Sequence, residues 1–483
     1  MKVFPAAIAA ALALPIPAFA DDAAELAAIR KDMDAMRASY EARLQALERR
    51  LQSAEAALAT QPAPTSASAS TSASTSGAAP PAPAVAAPPI VAAAPGGQGL
   101  APSASAGGAA GSFNPAMSLI LSGLYTHASK DPSRYAIAGF ALPGDAAIGP
   151  GTRGFSLAES ELGFAASIDP WLRGAANISI DADNKVEVEE AYVQTTSLGN
   201  GLSLKAGRFF SAIGYLNSQH SHTWDFVDSP LAYQAMLGTQ YGDDGVQLTW
   251  LPPLDQFVEL GVELGRGRSF PGSNSGRNGP GMVALTAHTG GDVGDSHSWR
   301  AGVSMLHAKA TDQSLVATDD AGNRFDQSFS GSTRVWVADA VWKWAPNGNA
   351  TRVNFKLQGE YLQSTRTGDL VHDVGNANLA ASVRARQSGW YVQGVYQFMP
   401  RWRAGARTEQ LDPGTPDYGI ATGLIPVTEH RPRKDSLMLD FSPSEFSRVR
   451  LQLARDRARP GSADTQWFLQ YQMSLGAHGA HSF

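Results

Sequence analysis

From Trp467 to Leu475 the odd positions are apolar (Trp467, Leu469, Tyr471, Met473, Leu475), while Gln466, Gln470, Gln472 and Ser474 stand on the even side. A strand with one apolar face, one amide-rich face and aromatic ends has the pattern of a single stave in a transmembrane β-barrel. The two-residue period recurs upstream. Trp299, Ala301, Val303 and Met305 oppose Arg300; Val353, Phe355 and Leu357 oppose Arg352, Asn354, Lys356 and Gln358; Trp390, Val392, Gly394, Tyr396 and Phe398 oppose Gln393 and Gln397. A soluble sandwich alternates too. What favours the barrel is aromatic residues at strand ends on the apolar side (Trp250, Trp299, Trp342, Trp344, Trp390, Trp402, Trp467), where girdles meet lipid headgroups.

Between such runs, short turns stand at 169–170, 198–201, 252–255, 290–296, 345–348, 399–400 and 442–445. Each carries the Gly, Pro, Asn or Asp that a tight reversal needs. Longer connections near 129–152, 181–185, 214–243, 269–280, 311–333, 366–383, 411–433 and 457–464 alternate with them. Seven short and eight long connections join sixteen strands, an even number with both ends on the short-turn side. The expected fold is all-β: a 16-stranded antiparallel transmembrane β-barrel over residues 113–483.

The N-terminal quarter reads differently. Lys2, the apolar stretch Val3 to Phe19 and the small-x-small site Ala18 to Ala20 predict a signal peptide over 1–20. Over 21–58 the period becomes helical: Leu26, Met33, Tyr40 and Leu47 recur every seven residues with Ile29 and Met36 between them, and Leu44, Leu51 and Leu58 continue the stripe one position later. That pattern predicts a short α-helical coiled coil, because so short a helix without a surface to lie on is marginal in water. Residues 59–112 are Ala, Pro, Ser and Gly almost throughout, which predicts a disordered, semi-extended linker.

Composition narrows the possibilities. No window approaches the roughly 20 apolar residues of a helical span, and polar strands cross a bilayer only as a closed barrel. The absence of cysteine excludes thiolate catalysis, disulfides and Cys-ligated metal, and a net charge of −6 offers no basic field for nucleic acid. No Gly-x-Ser-x-Gly elbow, His-Glu-x-x-His helix or phosphate loop occurs, so neither an enzyme nor a cofactor is expected.

The region after Phe113 resembles bacterial outer-membrane porins. Ala206 to Gly214 (AGRFFSAIG), Trp224 to Pro230 (WDFVDSP) and Asp243 to Leu248 (DDGVQL) are similar to a strand, loop, strand unit of the sixteen-stranded, phosphate-selective type. The same segments and the terminus Gly476 to Phe483 (GAHGAHSF) also resemble proteobacterial chains labelled zinc-regulated TonB-dependent outer-membrane receptors. That label implies a barrel of roughly 22 strands with a folded plug. The barrel region here is too short, and nothing before Phe113 alternates as a plug would, so porin architecture is expected. The resemblance implies an outer-membrane location among lipid, a homotrimer, diffusion of small hydrophilic solutes or ions, and a periplasmic coiled coil. A receptor for a metal or metal chelate, or an outer-membrane anchor, is the alternative.

Mechanism then depends on what lines and narrows the lumen. The dyad turns Glu159, Glu161, Glu187, Glu189, Glu259 and Glu263 inward on early staves, and Arg352, Lys356, Arg401, Arg403, Arg407, Arg448 and Arg450 inward on late ones. Opposed walls of unlike charge would set up a transverse field. The connection 214–243 is unusually apolar for a surface loop (Tyr215, Trp224, Phe226, Tyr233, Met236, Leu237), which predicts that it folds into the barrel as a constriction carrying His220, His222, Trp224, Asp225, Asp228 and Tyr233. His220 and His222, and His478 and His481 near the terminus, have spacings that could hold a metal. Two ligands make a weak site, so no metal site is expected.

Overall fold

The computed structural model describes residues 115–476 apart from positions 197, 274, 275, 277 and 462. The expected signal peptide, coiled coil and linker, and His478 and His481, lie outside the described residues. The strands are β1 (Ala116–Ala128), β2 (Gly154–Leu157), β3 (Ser160–Ser167), β4 (Leu172–Ile180), β5 (Val186–Thr195), β6 (Leu202–Phe210), β7 (Gly242–Trp250), β8 (Phe257–Gly265) and β9 (Met282–Val293). They continue as β10 (His297–Thr318), β11 (Arg324–Trp344), β12 (Asn354–His372), β13 (Leu379–Met399), β14 (Trp402–Asp412), β15 (Arg433–Ser444), β16 (Ser447–Arg457) and β17 (Asp464–Gly476).

Each strand pairs antiparallel with the next stave, and β1 closes the ring on β17 from Ser118↔Gly476 to Ala128↔Gln466. β2 and β3 share one stave: β2 pairs with the upper half of β1 (Gly123–Thr126) and β3 with its lower half (Ala116–Ile120), broken at Ala158 and Glu159. The ring therefore has sixteen staves among its seventeen strands. Closure leaves no open edge, which is what a polar strand needs in lipid. The start of β1 and the end of β17 lie together on the rim of the short turns.

The dyad places the apolar face outside. Leu469, Tyr471 and Leu475 are 44–49% exposed, while Gln466, Gln472 and Ser474 on the same strand are buried inside the ring. Trp250, Trp299, Trp342 and Trp390 are likewise outward and exposed. On β11 and β13, Trp336 to Trp344 and Trp390 to Phe398 each span nine residues, eight steps or about 26 Å of strand at ~3.3 Å per residue, close to the ~25 Å height of an apolar band.

Two of the expected long connections are corrected. Residues 311–333 and 366–383 were expected as loops, but strand continues through most of both, leaving only 319–323 and 373–378 between strands. The reason is that the dyad changes sign at the edge of the lipid. On β11 the outward side chains run Ser328, Ser330, Ser332 and Arg334 before Trp336, whereas inward Phe329 and Val335 are fully buried. On β13, Ser382, Arg384 and Arg386 face out and Val383 faces in. Above the membrane the wall meets water outside and an apolar filling inside, so the polar half of the alternation resembled loop.

That filling comes from two connections. Residues 129–153 bury Tyr135, Ile137, Phe140 and Leu142, and Leu142 bridges to Val316. Residues 211–241 bury Ile213, Leu216, Trp224 and a short helix α1 (Leu231–Leu237), all seven of whose residues are buried. Gly238 ends α1 in the left-handed conformation (φ 66°) that glycine adopts without penalty. The inward folding expected for the second connection is observed; the first was not expected to fold inward, although its Tyr135, Ile137, Phe140 and Leu142 carry the same apolar signal.

Candidate functional site

The loop 211–241 enters the lumen at Gly214, whose φ of 66° and lack of a Cβ let Glu360 and Tyr233 approach; an ideal Cβ there would lie 2.3 Å from Glu360 Oε2. Its root is held by carboxylates of the wall. Ala212 N donates to Glu263 (2.8 Å), Tyr215 N and Leu216 N to Glu360 (3.2 and 3.0 Å), and the Tyr233 hydroxyl to Glu360 (2.8 Å). Tyr391 also donates to Glu360 at 2.6 Å, so one buried acceptor gathers four donors. A buried acceptor left without donors would be costly, and these four satisfy it.

From that root the loop crosses the lumen between two walls of opposite charge. On the first, His220 and His222 meet carboxylates of the β2/β3 stave and of β5. His220 Nδ1 lies 3.1 Å from Glu189 and 3.4 Å from Glu161; its Nε2 lies 3.0 Å from Glu190 and 2.9 Å from the Asn177 amide. His222 Nδ1 lies 2.9 Å from Glu161, the two imidazoles stack at 5.6 Å, and Ser221 Oγ donates to Glu159. Burial works against charge on His220, but the surrounding carboxylates outweigh it and raise its pKa well above the ordinary histidine value.

Two backbone irregularities concentrate these carboxylates. The break at Ala158 and Glu159 brings Glu159 to the loop beside Glu161. A bulge on β5, where the register steps from Glu190↔Asn177 to Val188↔Ile178, makes Glu189 the extra residue and turns both Glu189 and Glu190 toward His220. Bulges re-aim side chains in this way. Strict alternation would send Glu190 to lipid, which is why sequence reasoning missed it.

On the second wall the loop presents its aspartates. Asp225 is paired with Lys356 (2.5 Å) and Arg403 (3.2 Å), and Arg403 grips Asp440 through Nε (3.0 Å) and a terminal nitrogen (2.6 Å). Asp228 takes Lys434 and Arg407, the latter at 2.8 Å, and accepts from Gln452 at 2.8 Å. Arg450 and Arg448 donate to the carbonyls of Trp224 (2.8 Å) and His222 (2.9 Å). Burial opposes the charges of Asp225 and Asp228, but the adjacent cations hold both well below the usual carboxylate range. A buried charge persists only with partners of this kind.

Of the expected lumenal residues, Glu161, Glu189, Glu263, Lys356, Arg403, Arg407, Arg448 and Arg450 all touch the loop or its anchors, and Glu159 joins them through Ser221. Glu259 instead faces His288 at 3.5 Å, and Glu187 sits exposed with Lys185 and Arg268. Arg352 and Arg401 are corrected: both lie exposed in short turns, Arg352 just before β12 and Arg401 between β13 and β14 with φ of 73°, because the staves begin one or two residues after them. Tyr233 is 1% exposed and packs in the apolar filling against Glu360 and Tyr391. Lys434, Glu360 and Asp440 were missed. Glu360 lies on the inward phase already assigned to Lys356 and Gln358, so the dyad carried that signal.

Comparison with known proteins places these features in a family. Residues 161–419, more than half of the chain, match the family model described as phosphate-selective porin O and P. An uncharacterised protein of Aquifex aeolicus (strain VF5) is 30% identical over 352 residues, covering 68% of this chain and 70% of that one. Among solved structures, the outer-membrane channel DcaP of Acinetobacter baumannii is 13% identical (TM-score 0.44, 75% of this chain, 97% of that chain). The anion-selective porin of Comamonas acidovorans is 10% identical (TM-score 0.43, 75% and 99%). A closed ring of sixteen staves with its connecting loop drawn into the lumen is a channel rather than an enzyme, and the chain belongs to the phosphate-selective porin O and P family: it is an outer-membrane porin through which small hydrophilic solutes diffuse.

Proposed function

We propose that the passage is weakly selective, with solutes moving between fixed charges of opposite sign that the loop 211–241 joins as a strut. The observation that carries this reading is the loop's double docking, His220 and His222 on the carboxylate staves and Asp225 and Asp228 on the cationic ones. Because each wall charge is largely compensated, the residual field is small, and a preference among small ions, phosphate included, is modest. The pore-lining roles of Lys356, Arg403 and Arg448, and of Glu159, Glu161 and Glu189, belong to this proposal.

Three chains assemble, on this reading, with residues 21–58 as a periplasmic coiled coil on the linker 59–112. The heptad stripe supports the assembly, and the position of β1's start on the short-turn rim supports the periplasmic side. Planar-bilayer recording of the full chain tests the passage: conductance should rise with salt, with a small reversal potential under a salt gradient and competition by added phosphate. A folded protein that does not conduct refutes it.

A further inference from the structure

The turn His220–His222 brings metal-ligating side chains together more closely than docking the loop requires. Glu161 Oε2 and one nitrogen each of His220 and His222 lie within 4.8 Å of one another, and all three residues are buried. Glu189 Oε2 stands 3.1 Å from His220 Nδ1, with Glu161 3.4 Å from that nitrogen and 2.9 Å from His222 Nδ1. In a tetrahedral site with metal–ligand bonds of about 2.0–2.1 Å, the ligand atoms are about 3.3 Å apart. The two contacts of Glu161, to His220 and to His222, are close to edges of such a tetrahedron.

The surroundings suit a cation. His220's other nitrogen meets Glu190 at 3.0 Å, the carboxylate–histidine arrangement that fixes the ring and tautomer of a metal ligand. The turn is also held from behind: Arg448 and Gln472 both donate to the His222 carbonyl, and Thr223 Oγ1 to that of His220. Four carboxylates (Glu159, Glu161, Glu189, Glu190) gather around two imidazoles, so the cluster has negative charge to spare. Imidazole nitrogens mixed with carboxylate oxygens match Zn²⁺, Ni²⁺ or Cu²⁺, whereas Ca²⁺ and Mg²⁺ take shells of oxygen.

The geometry points to a binding site for one divalent transition-metal ion of the Zn²⁺ class, ligated by Glu161, His220 and His222 with a fourth position for water, and with Glu190 as the positioning residue behind His220. Such an ion staples the lumenal loop to the β2/β3 stave. Binding can be measured in detergent without any current, so the site and the passage stand or fall separately.

The test is calorimetric titration of the full folded chain with Zn²⁺, beside variants H222Q, E161Q and E190Q and the terminal pair H478Q/H481Q, each checked for the gel mobility of a folded barrel. One ion per chain is expected. E190Q should weaken binding roughly 10–100-fold, as loss of an outer partner does, and H222Q or E161Q more. The terminal pair should leave the site unchanged. Should H222Q fail to fold, X-ray absorption of the Zn²⁺-loaded wild type supports the site by a four-coordinate nitrogen and oxygen shell containing two imidazoles. Failure of the folded wild type to bind stoichiometrically overturns the proposal, as does binding that survives H222Q with E161Q or disappears only with the terminal histidines.

Discussion

Replacing Arg403 and Arg450 together by glutamine should shift ion preference toward cations. Arg403 shares its guanidinium between Asp440 and Asp225, and Arg450 lies 3.6 Å from Asp440 while holding the Trp224 carbonyl. With both gone, Asp440 loses its two cationic partners, and of Asp225's two ion-pair partners only Lys356 remains. An ion passing at one Debye length, ~10 Å in 0.1 M salt, feels each lost charge as about 0.4 kcal/mol in water, screened to about 0.15 kcal/mol. That favours cations and disfavours anions equally, so the two charges change the cation-to-anion ratio about threefold. Reversal potentials in planar bilayers under a salt gradient measure this ratio directly. The shift should shrink in 1 M salt, where the Debye length is only ~3 Å. An unchanged reversal potential in a variant that still folds and conducts would refute the idea that these wall charges reach the permeating ion.

Asp228→Asn should destabilise the barrel by about 3–5 kcal/mol, because Lys434 and Arg407 remain buried with one carboxylate fewer between them. Urea unfolding from lipid vesicles measures it, and a loss below about 1 kcal/mol contradicts the buried pairing. Leu469→Arg, on the lipid face at 44% exposure, should cost up to about 2–4 kcal/mol in the same assay; an indifferent variant would mean that this face does not meet hydrocarbon.

Much of the fold was legible because the membrane imposes one simple rule. Lipid outside and water inside turn every stave into the same alternation, so Trp467 to Leu475, or Trp390 to Phe398, reveal their faces without any partner being known. Each of the seven short turns marks a junction between strands, although strand runs on into three of them, through Val293, Met399 and Ser444. The rule fails where its premise does. Above the girdle, Phe329 and Val383 turn inward to an apolar filling, and strands there passed for loops. At Glu189 a single bulge reverses the phase, and Glu190 points inward against the count.

The loop divides in the same way. Its apolar content marked 214–243 as inward-folding, since a surface loop has no reason to carry Trp224, Tyr233 and Met236. Its partners were not legible: Asp228 meets Lys434 across 206 residues of sequence and Arg403 meets Asp225 across 178. His220 and His222 stack across a single 3₁₀ turn formed by residues 221–223, a local geometry that the strand period does not reveal.

The sequence by itself determined a polar-lined barrel of sixteen staves, its short-turn rim, and a loop too hydrophobic to stay outside, because each of these depends on local periodicity and composition. Only the tertiary structure decided which charges neutralise which, and where histidines and carboxylates converge. Those pairings depend on ring closure, on register and on one extra residue in β5, and such long-range geometry leaves no periodic trace in the chain.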